Sequence, residues 1–288
     1  MKVASNRIQD VYRHYVGELE GLYASEEAGN LIALLIEEYA GLKKTEIFLD
    51  PGSPINESDL LRVHFAVKAL KDYKPVQQII GYTMFCGCRI GVNENVLIPR
   101  PETEEMVEEI KKEKFPHAPR ILDIGSGSAA IAIALKKHFP QGSVFALEKS
   151  GKAILKATEN AAYNQAEIKF FQMDLFDKDI VSVLPSELDL IVSNPPYVRE
   201  SEKAAMRPNV LEHEPDDALF VPDDNALIFY ERIVDLAREL LANSGIMYFE
   251  INEALGRETA NVFMSSGYQT KLLKDLFGKD RFIKARKI

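Results

Sequence analysis

From Arg120 to the C-terminus, short apolar runs of strand type alternate with helical stretches. This alternation constrains the fold of the 288-residue chain more than any other feature. Strands are expected at Arg120–Ile124, Ser143–Glu148, Ile168–Gln172, Leu188–Ser193 and Ile246–Ile251. Helices are expected up to about His138, over Ala153–Asn164 and over Asn225–Ala242. Strands joined by helical crossovers pair in parallel and form a doubly wound α/β sheet. The last two runs, Tyr268–Leu273 and Arg281–Arg286, are too close for a crossover and have Gly278 between them. They read as an antiparallel hairpin.

The first 74 residues lack this alternation. Leu31, Leu35 and Tyr39 recur at i, i+4, i+8, and Leu61, Phe65 and Ala69 repeat that spacing. Leu60, Val63, Val67 and Leu70 follow the related pattern i, i+3, i+7, i+10. Both spacings are helical, so residues 1–74 are expected to form a small helical bundle. Its use is either substrate docking or structure alone. Asp50-Pro51-Gly52-Ser53-Pro54 reads as a loop, and Ser58 as the N-cap of the next helix. Residues 75–95, with Gly81, Gly87 and Gly91 between short runs, read as a β-hairpin linker, and residues 96–288 as the sheet domain. Two domains agree with a length prior of about 150 residues per domain. Pro99 and Pro101 do not belong inside a helix, so Thr103 reads as the N-cap of a helix that begins at the following acids.

Lys plus Arg minus Asp plus Glu is 35 − 44 = −9. That balance argues against a protein that coats nucleic acid by neutralising phosphates. The two cysteines, Cys86 and Cys88, are separated by one residue. They are badly placed for an ordinary disulfide and too few for a structural zinc site. The opening segment MKVASNRIQDVYRHYV lacks the apolar core of a signal peptide, and no apolar stretch is long enough to span a bilayer. The expectation is a cytoplasmic protein without a membrane partner.

Two segments carry the chemistry. The first, Asp123-Ile124-Gly125-Ser126-Gly127-Ser128-Ala129, stands at a strand-to-helix junction. Glycines there let the backbone approach a ligand closely. Gly125, Gly127 and Ala130 also fit a dinucleotide fingerprint, which keeps a dehydrogenase among the alternatives. Asp123 is an odd neighbour for a pyrophosphate but suits a cationic ligand such as S-adenosylmethionine; otherwise it is a solvated turn acid. Glu148, at the end of the next strand, is placed to accept hydrogen bonds from ribose hydroxyls or is a surface acid. After the third strand, Asp174 is placed for an exocyclic amine. Leu175 or Phe176 would cover an adenine ring, or pack in the core.

The second segment is Asn194-Pro195-Pro196-Tyr197, after the fourth strand. Consecutive prolines fix the backbone and withhold two N–H donors. What remains is a row of acceptors, the Asn194 side-chain oxygen and the Pro195 carbonyl. Such a row suits a planar –NH₂ group, whose two hydrogens can be accepted together. Tyr197 offers a ring face for stacking. The bland alternative is a rigid turn with a buried tyrosine.

With these segments assembled, the sequence resembles the HemK/PrmC family of protein-(glutamine-N5) methyltransferases over nearly its whole length. Pro75-Val76-Gln77-Gln78-Ile79-Ile80-Gly81, Val96-Leu97-Ile98-Pro99-Arg100-Pro101-Glu102-Thr103-Glu104 and Asp189–Tyr197 carry the resemblance. Glu214-Pro215, Ala218-Leu219-Phe220 and Gly278-Lys279-Asp280-Arg281 extend it. The resemblance implies a Rossmann-like, S-adenosylmethionine-dependent methyltransferase sheet with a C-terminal antiparallel hairpin and a small N-terminal helical bundle. It implies methyl transfer from S-adenosyl-L-methionine, leaving S-adenosyl-L-homocysteine, to the glutamine of the Gly-Gly-Gln loop of class I peptide chain release factors. Neither a metal nor a nucleic-acid substrate is expected. Asn194, Pro195 and Tyr197 would be catalytic, and Asn194 to Tyr197 would bind the substrate. Asp123, Gly125, Ser126, Gly127, Ser128, Ala129, Glu148, Asp174, Leu175, Phe176 and Asn194 would hold the cofactor. Arg100, Glu102 and Glu104 would support the site; the two acids either close it or lie on the surface at a helix start. The same turn is shared by a glutamine methyltransferase of a large-subunit ribosomal protein and by adenine-N6 nucleic-acid methyltransferases, and a non-catalytic binding module is a further alternative. Three positions depart from the family pattern: Ala129 and Asn252 stand where Gly is usual, and Glu148 where Asp is usual. The Ala129 methyl is expected near the cofactor's tail, where it would weaken binding or shift the loop.

Overall fold

The computed structural model describes residues 5–115 and 118–287, which form two compact units. One takes in the chain up to Gly81 together with Arg207–His213; the other is Tyr82–Met206 and the chain from Glu214 onward. The helical unit thus runs beyond residue 74. Val76–Ile80 is a short helix that buries Val76 and Gln78 and ends on Gly81, whose φ of 86° is left-handed. Five residues are too few for a periodic signal to show.

In the helical unit, Ile8–Leu19, Ser25–Ala40 and Glu57–Lys71 enclose a core that includes Val11, Tyr15, Ile32, Leu35 and Val63. The third helix carries two apolar stripes, and only one faces inward. Leu60, Val63, Val67 and Leu70 are buried, whereas Leu61 and Phe65 lie outside at 45% and 60% exposure. Its N-cap is Asn56, not Ser58: the Asn56 side chain accepts the Asp59 N–H at 2.9 Å. Residues 207–213 are joined to this unit by the Gln78 amide donating to the His213 carbonyl (2.7 Å) and by the Arg207–Glu27 ion pair (3.1 Å).

In the second unit, β1 (Tyr82–Phe85) and β2 (Cys88–Gly91) form an antiparallel hairpin. The main sheet is built from β3 (Arg120–Ile124), β4 (Ser143–Glu148), β5 (Ile168–Gln172) and β6 (Leu188–Ser193). After a short parallel pair, β7 (Val198–Arg199) with β8 (Phe220–Val221), it continues with β9 (Leu241–Glu250), β10 (Tyr268–Lys274) and β11 (Asp280–Lys287). Among the described residues its order is β10-β11-β9-β6-β3-β4-β5. The strands from β9 to β5 run parallel, and β11 is antiparallel to both β9 and β10. The expected sheet and terminal hairpin are present, with β9 starting five residues before the expected Ile246.

The central strands are apolar almost throughout because helices cover both faces. Pro101–Lys111, Ala130–His138 and Gly151–Tyr163 pack on one face; Ile228–Leu240 and Gly256–Ser265 pack on the other. From β3 the chain steps outward to β4 and β5, then returns to β6 on the opposite side of β3. At such a reversal, the crevice beyond the carboxyl ends of the strands is the natural ligand site. No helix among the described residues is long and apolar enough to cross a membrane.

Candidate active site

A cleft of about 370 Å³ opens at this reversal. It brings together Gly125 and Gly127 after β3, Glu148 at the end of β4, Asp174, Leu175 and Phe176 after β5, and Asn194, Pro195 and Pro196 after β6. Among its described lining residues are the carboxylates of Glu94, Glu148, Asp174, Asp216 and Asp217, with Lys149 as the single cation. Lys149 is itself paired with Asp217 at 2.8 Å. An acidic lining suits a cationic ligand and opposes a pyrophosphate.

The glycine loop depends on backbone conformation. Gly125 and Gly127 have φ of 70° and 51°, which side chains rarely adopt. Glu148 holds the loop: one carboxylate oxygen accepts the Gly127 N–H at 2.9 Å, the other the Ser150 N–H at 2.8 Å. Asp123, expected to face a cationic ligand, does not line the cleft. It is 1% exposed, and its Oδ2 accepts the Ala132 N–H at 3.1 Å in the first turn of the helix Ala130–His138. The cause is the two-residue period of a strand, which puts Asp123 with Ile121 on the face this helix covers. Burial pushes the Asp123 carboxyl up to about 7.

Ser126, Ser128 and Ala129 also lie outside the lining. The Ser126 N–H donates to the Leu147 carbonyl (3.1 Å), and the Ser128 carbonyl accepts from Asn160 (3.0 Å). Ala129, with a left-handed φ of 63°, is fully buried in the apolar core and does not line the cleft. The apolar wall holds Phe176, met edge-on by Phe229 at 5.6 Å between centroids. Phe229 and Leu97, both in the lining, had no assigned role in the sequence. Asp174 accepts the Phe176 N–H at 2.8 Å and so turns the chain along this wall.

Tyr197, expected among the catalytic and substrate-binding residues, is not part of the cleft lining; it packs against the apolar core behind the proline turn, in a network that local sequence did not reveal. The Asn194 Nδ2 donates to the Thr103 hydroxyl at 3.1 Å. That hydroxyl donates to Glu250 Oε2 at 2.6 Å, and the Tyr197 hydroxyl donates to Glu250 Oε1 at 2.8 Å. Thr103 is therefore not the expected cap: the helix starts at Pro101, a position where a missing N–H costs nothing, and Thr103 falls within its first turn. Glu250 ends β9 and is 1% exposed. Burial raises its carboxyl above the usual carboxylate range, against the pull of the two hydroxyl donors and Arg281. Burial and the neighbouring Glu250 hold the Tyr197 phenol well above its ordinary value, so it stays a donor. The signal for Glu250 was its place inside the apolar run Tyr248–Ile251. Asn252 donates to the Tyr197 carbonyl at 3.0 Å and steadies the turn from behind.

The supporting residues stand apart from the cleft. Arg100 pairs at 2.6 Å with the buried Glu214, which also accepts the Ile98 N–H at 2.9 Å. Glu104 accepts the Cys86 N–H and pins the β1–β2 turn, where Cys86 has a φ of 47°. Glu102 is partly exposed and does not line the cleft. Burial pushes the Cys86 thiol up to about 12, so it is no nucleophile at neutral pH.

Fold and cleft together define a methyltransferase. Residues 101–214 match the Methyltransferase small domain family, and residues 10–81 match the PrmC N-terminal domain. The chain belongs to the release factor glutamine methyltransferase family. It is 41% identical over 282 residues to the release factor glutamine methyltransferase of Flavobacterium psychrophilum, covering 96% of this chain and 98% of that one. It is 40% identical to the protein of the same name from Bacteroides thetaiotaomicron, covering 98% and 100% of the two chains. The crystal structure of a methyltransferase from Pyrococcus furiosus shares the fold, with a TM-score of 0.52, 18% identity and coverage of 81% and 100%.

Proposed function

We propose that this protein methylates the side-chain amide nitrogen of a protein glutamine, that of the Gly-Gly-Gln loop in class I peptide chain release factors, using S-adenosylmethionine. The observation that carries the reading is a row of acceptors, Asn194 and the Pro195 carbonyl, lining an acidic cleft beside a glycine loop. When bound, S-adenosylmethionine supplies a methyl group on a cationic sulfonium and is left as S-adenosylhomocysteine. The excess of lining carboxylates over the paired Lys149 fits that charge. Gly125 and Gly127 would allow close backbone approach. Glu148 keeps acceptor capacity for ribose hydroxyls beyond its two loop bonds. The Asp174 oxygen not used by Phe176 would take an exocyclic amine, and Leu175 and Phe176 would cover a base.

An amide nitrogen is a poor nucleophile because its lone pair is delocalised. Asn194 and the Pro195 carbonyl would accept its two hydrogens and hold them out of plane, returning electron density to nitrogen. Tyr197, outside the lining and with its hydroxyl fixed on Glu250, would hold the turn from behind, and its ring would meet the amide only at the cleft's edge. Pro195 and Pro196 keep competing N–H donors away. Positioning then supplies most of the rate, with no covalent intermediate.

The helical unit would grip the release factor away from the reacting atoms. It exposes Phe48 and Leu49 at 59% and 83%, the kind of side chain a protein partner covers. A ribosomal-protein glutamine or a nucleic-acid adenine would fit the same turn. The names of the relatives and the match of residues 10–81 favour a release factor. The net charge of −9 opposes DNA. Incubation with labelled S-adenosylmethionine and, separately, release factor, ribosomal protein and DNA tests the reading. Label is expected in the release factor; label confined to either alternative overturns it.

A further inference from the structure

The Asn194 side chain can accept a substrate N–H only through its oxygen. Rotated by half a turn, its amide would present –NH₂ to the –NH₂ of the acceptor, donor against donor. The two ends of an amide have nearly the same shape, so packing does not choose between them. Hydrogen-bond direction does. Thr103 Oγ1 lies 2.6 Å from Glu250 Oε2 and 3.1 Å from Asn194 Nδ2. A hydroxyl has one hydrogen, and an ionised Glu250, the form that Thr103, Tyr197 and Arg281 all favour against its burial, only accepts. The Thr103 hydrogen is therefore committed to Glu250, and Thr103 meets Asn194 with a lone pair. Only the Asn194 N–H can answer that lone pair. Glu250 cannot swing away, because Tyr197 holds its other oxygen at 2.8 Å and Tyr230 donates to its carbonyl at 2.9 Å. Thr103 and Glu250 are 4% and 1% exposed.

We infer that Thr103 and Glu250 are positioning residues that turn the Asn194 amide oxygen toward the acceptor nitrogen through a one-way chain of hydrogen bonds. The functional part of this inference rests on the amide-holding role proposed for Asn194; the orientation itself does not. The chain also selects for acceptors that donate two hydrogens, such as amides and amines, over those that only accept.

Thr103→Val keeps the shape and removes the hydroxyl, Thr103→Ser keeps the hydroxyl, and Glu250→Met keeps most of the volume but removes both acceptor oxygens, leaving the Thr103 hydrogen uncommitted. The first readout is hydrogen exchange of the ¹⁵N-labelled Asn194 side-chain amide in the protein without substrate. Losing one buried hydrogen bond is worth roughly a tenfold change, so exchange should quicken ~10-fold in Thr103→Val and stay slow in Thr103→Ser. The second is turnover on release factor. There kcat should fall ~10-fold in Thr103→Val and Glu250→Met, with KM and S-adenosylhomocysteine affinity held within ~2-fold, and Thr103→Ser should restore kcat. If Thr103→Val does not fold, Glu250→Met decides through the same two readouts. Exchange and kcat both at the wild-type level in Thr103→Val overturn the inference while leaving the proposed function intact. Exchange that quickens in Thr103→Val, with a wild type that methylates no amide, supports the orientation chain and refutes the proposed function.

Discussion

The two walls of the cleft are built by opposite means. On the β3–β4 side the acids serve the chain's own backbone: Glu148 holds the N–H groups of Gly127 and Ser150, and Asp123 holds that of Ala132. The shape of that wall rests on left-handed glycines. On the β6–β9 side the backbone is already fixed by two prolines. There Glu250 acts on side chains, locking Thr103, Asn194 and Tyr197 in one hydrogen-bond direction. One wall should be sensitive to an added Cβ, and the other to the loss of a single polar atom.

Substitutions on the two walls can break this contrast. The largest effect is expected from Asn194→Ala, which should lower kcat on the order of 10²-fold, as removal of a polar group facing the reacting atoms does, while leaving cofactor affinity nearly intact. Comparable losses in both would erase the distinction between the walls. Gly127→Val should do the reverse. A β-branched residue at a φ of 51° is strained, and calorimetry with S-adenosylhomocysteine should show affinity reduced about tenfold or more. Unchanged affinity would mean the loop is not the cofactor wall.

A smaller effect separates Asp123 from the ligand and assigns it to stability. Its carboxyl is raised from 3.8 to about 7 in the folded protein, so the fold keeps a proton that the unfolded chain has lost. The stability it contributes is complete below its ordinary value and is lost as pH rises through about 7. The wild-type Tm should carry a decline across that window which Asp123→Asn removes; an equal slope in both proteins would contradict the assignment. The smallest effect is expected at Ala129. Ala129→Gly relieves a left-handed conformation worth about 1–2 kcal/mol but loses a buried methyl worth about 0.8 and adds chain entropy worth about 0.5–1, so gain and loss nearly cancel. A Tm shift of many degrees, or a large gain in cofactor affinity, would place that methyl in the cleft after all.

The parts of the molecule legible in the sequence are those written by near neighbours. Strand–helix alternation fixes the parallel sheet, and strand ends point to Gly125, Glu148, Asp174 and Asn194, all of which meet at the cleft. Direction and distance were harder. Asp123 stands at a strand end like the others, but its side chain faces the helix Ala130–His138 rather than the opening. Counting residues along β3 from Ile121 would have exposed this. Thr103 and Glu250 are 147 positions apart, and nothing near either announces the other. An ionisable residue inside an apolar strand, as in Tyr248–Ile251, was the available hint. Arg207–His213 joins the helical unit through Gln78 and Glu27, partners no local pattern connects to it.

The most direct measurement is mass spectrometry of a release factor after incubation with this protein and S-adenosylmethionine. The prediction is a single added methyl group on the side-chain nitrogen of the Gly-Gly-Gln glutamine, present with the wild type and lost with Asn194→Ala. A methyl group at another residue, or one that persists undiminished in Asn194→Ala, would contradict it.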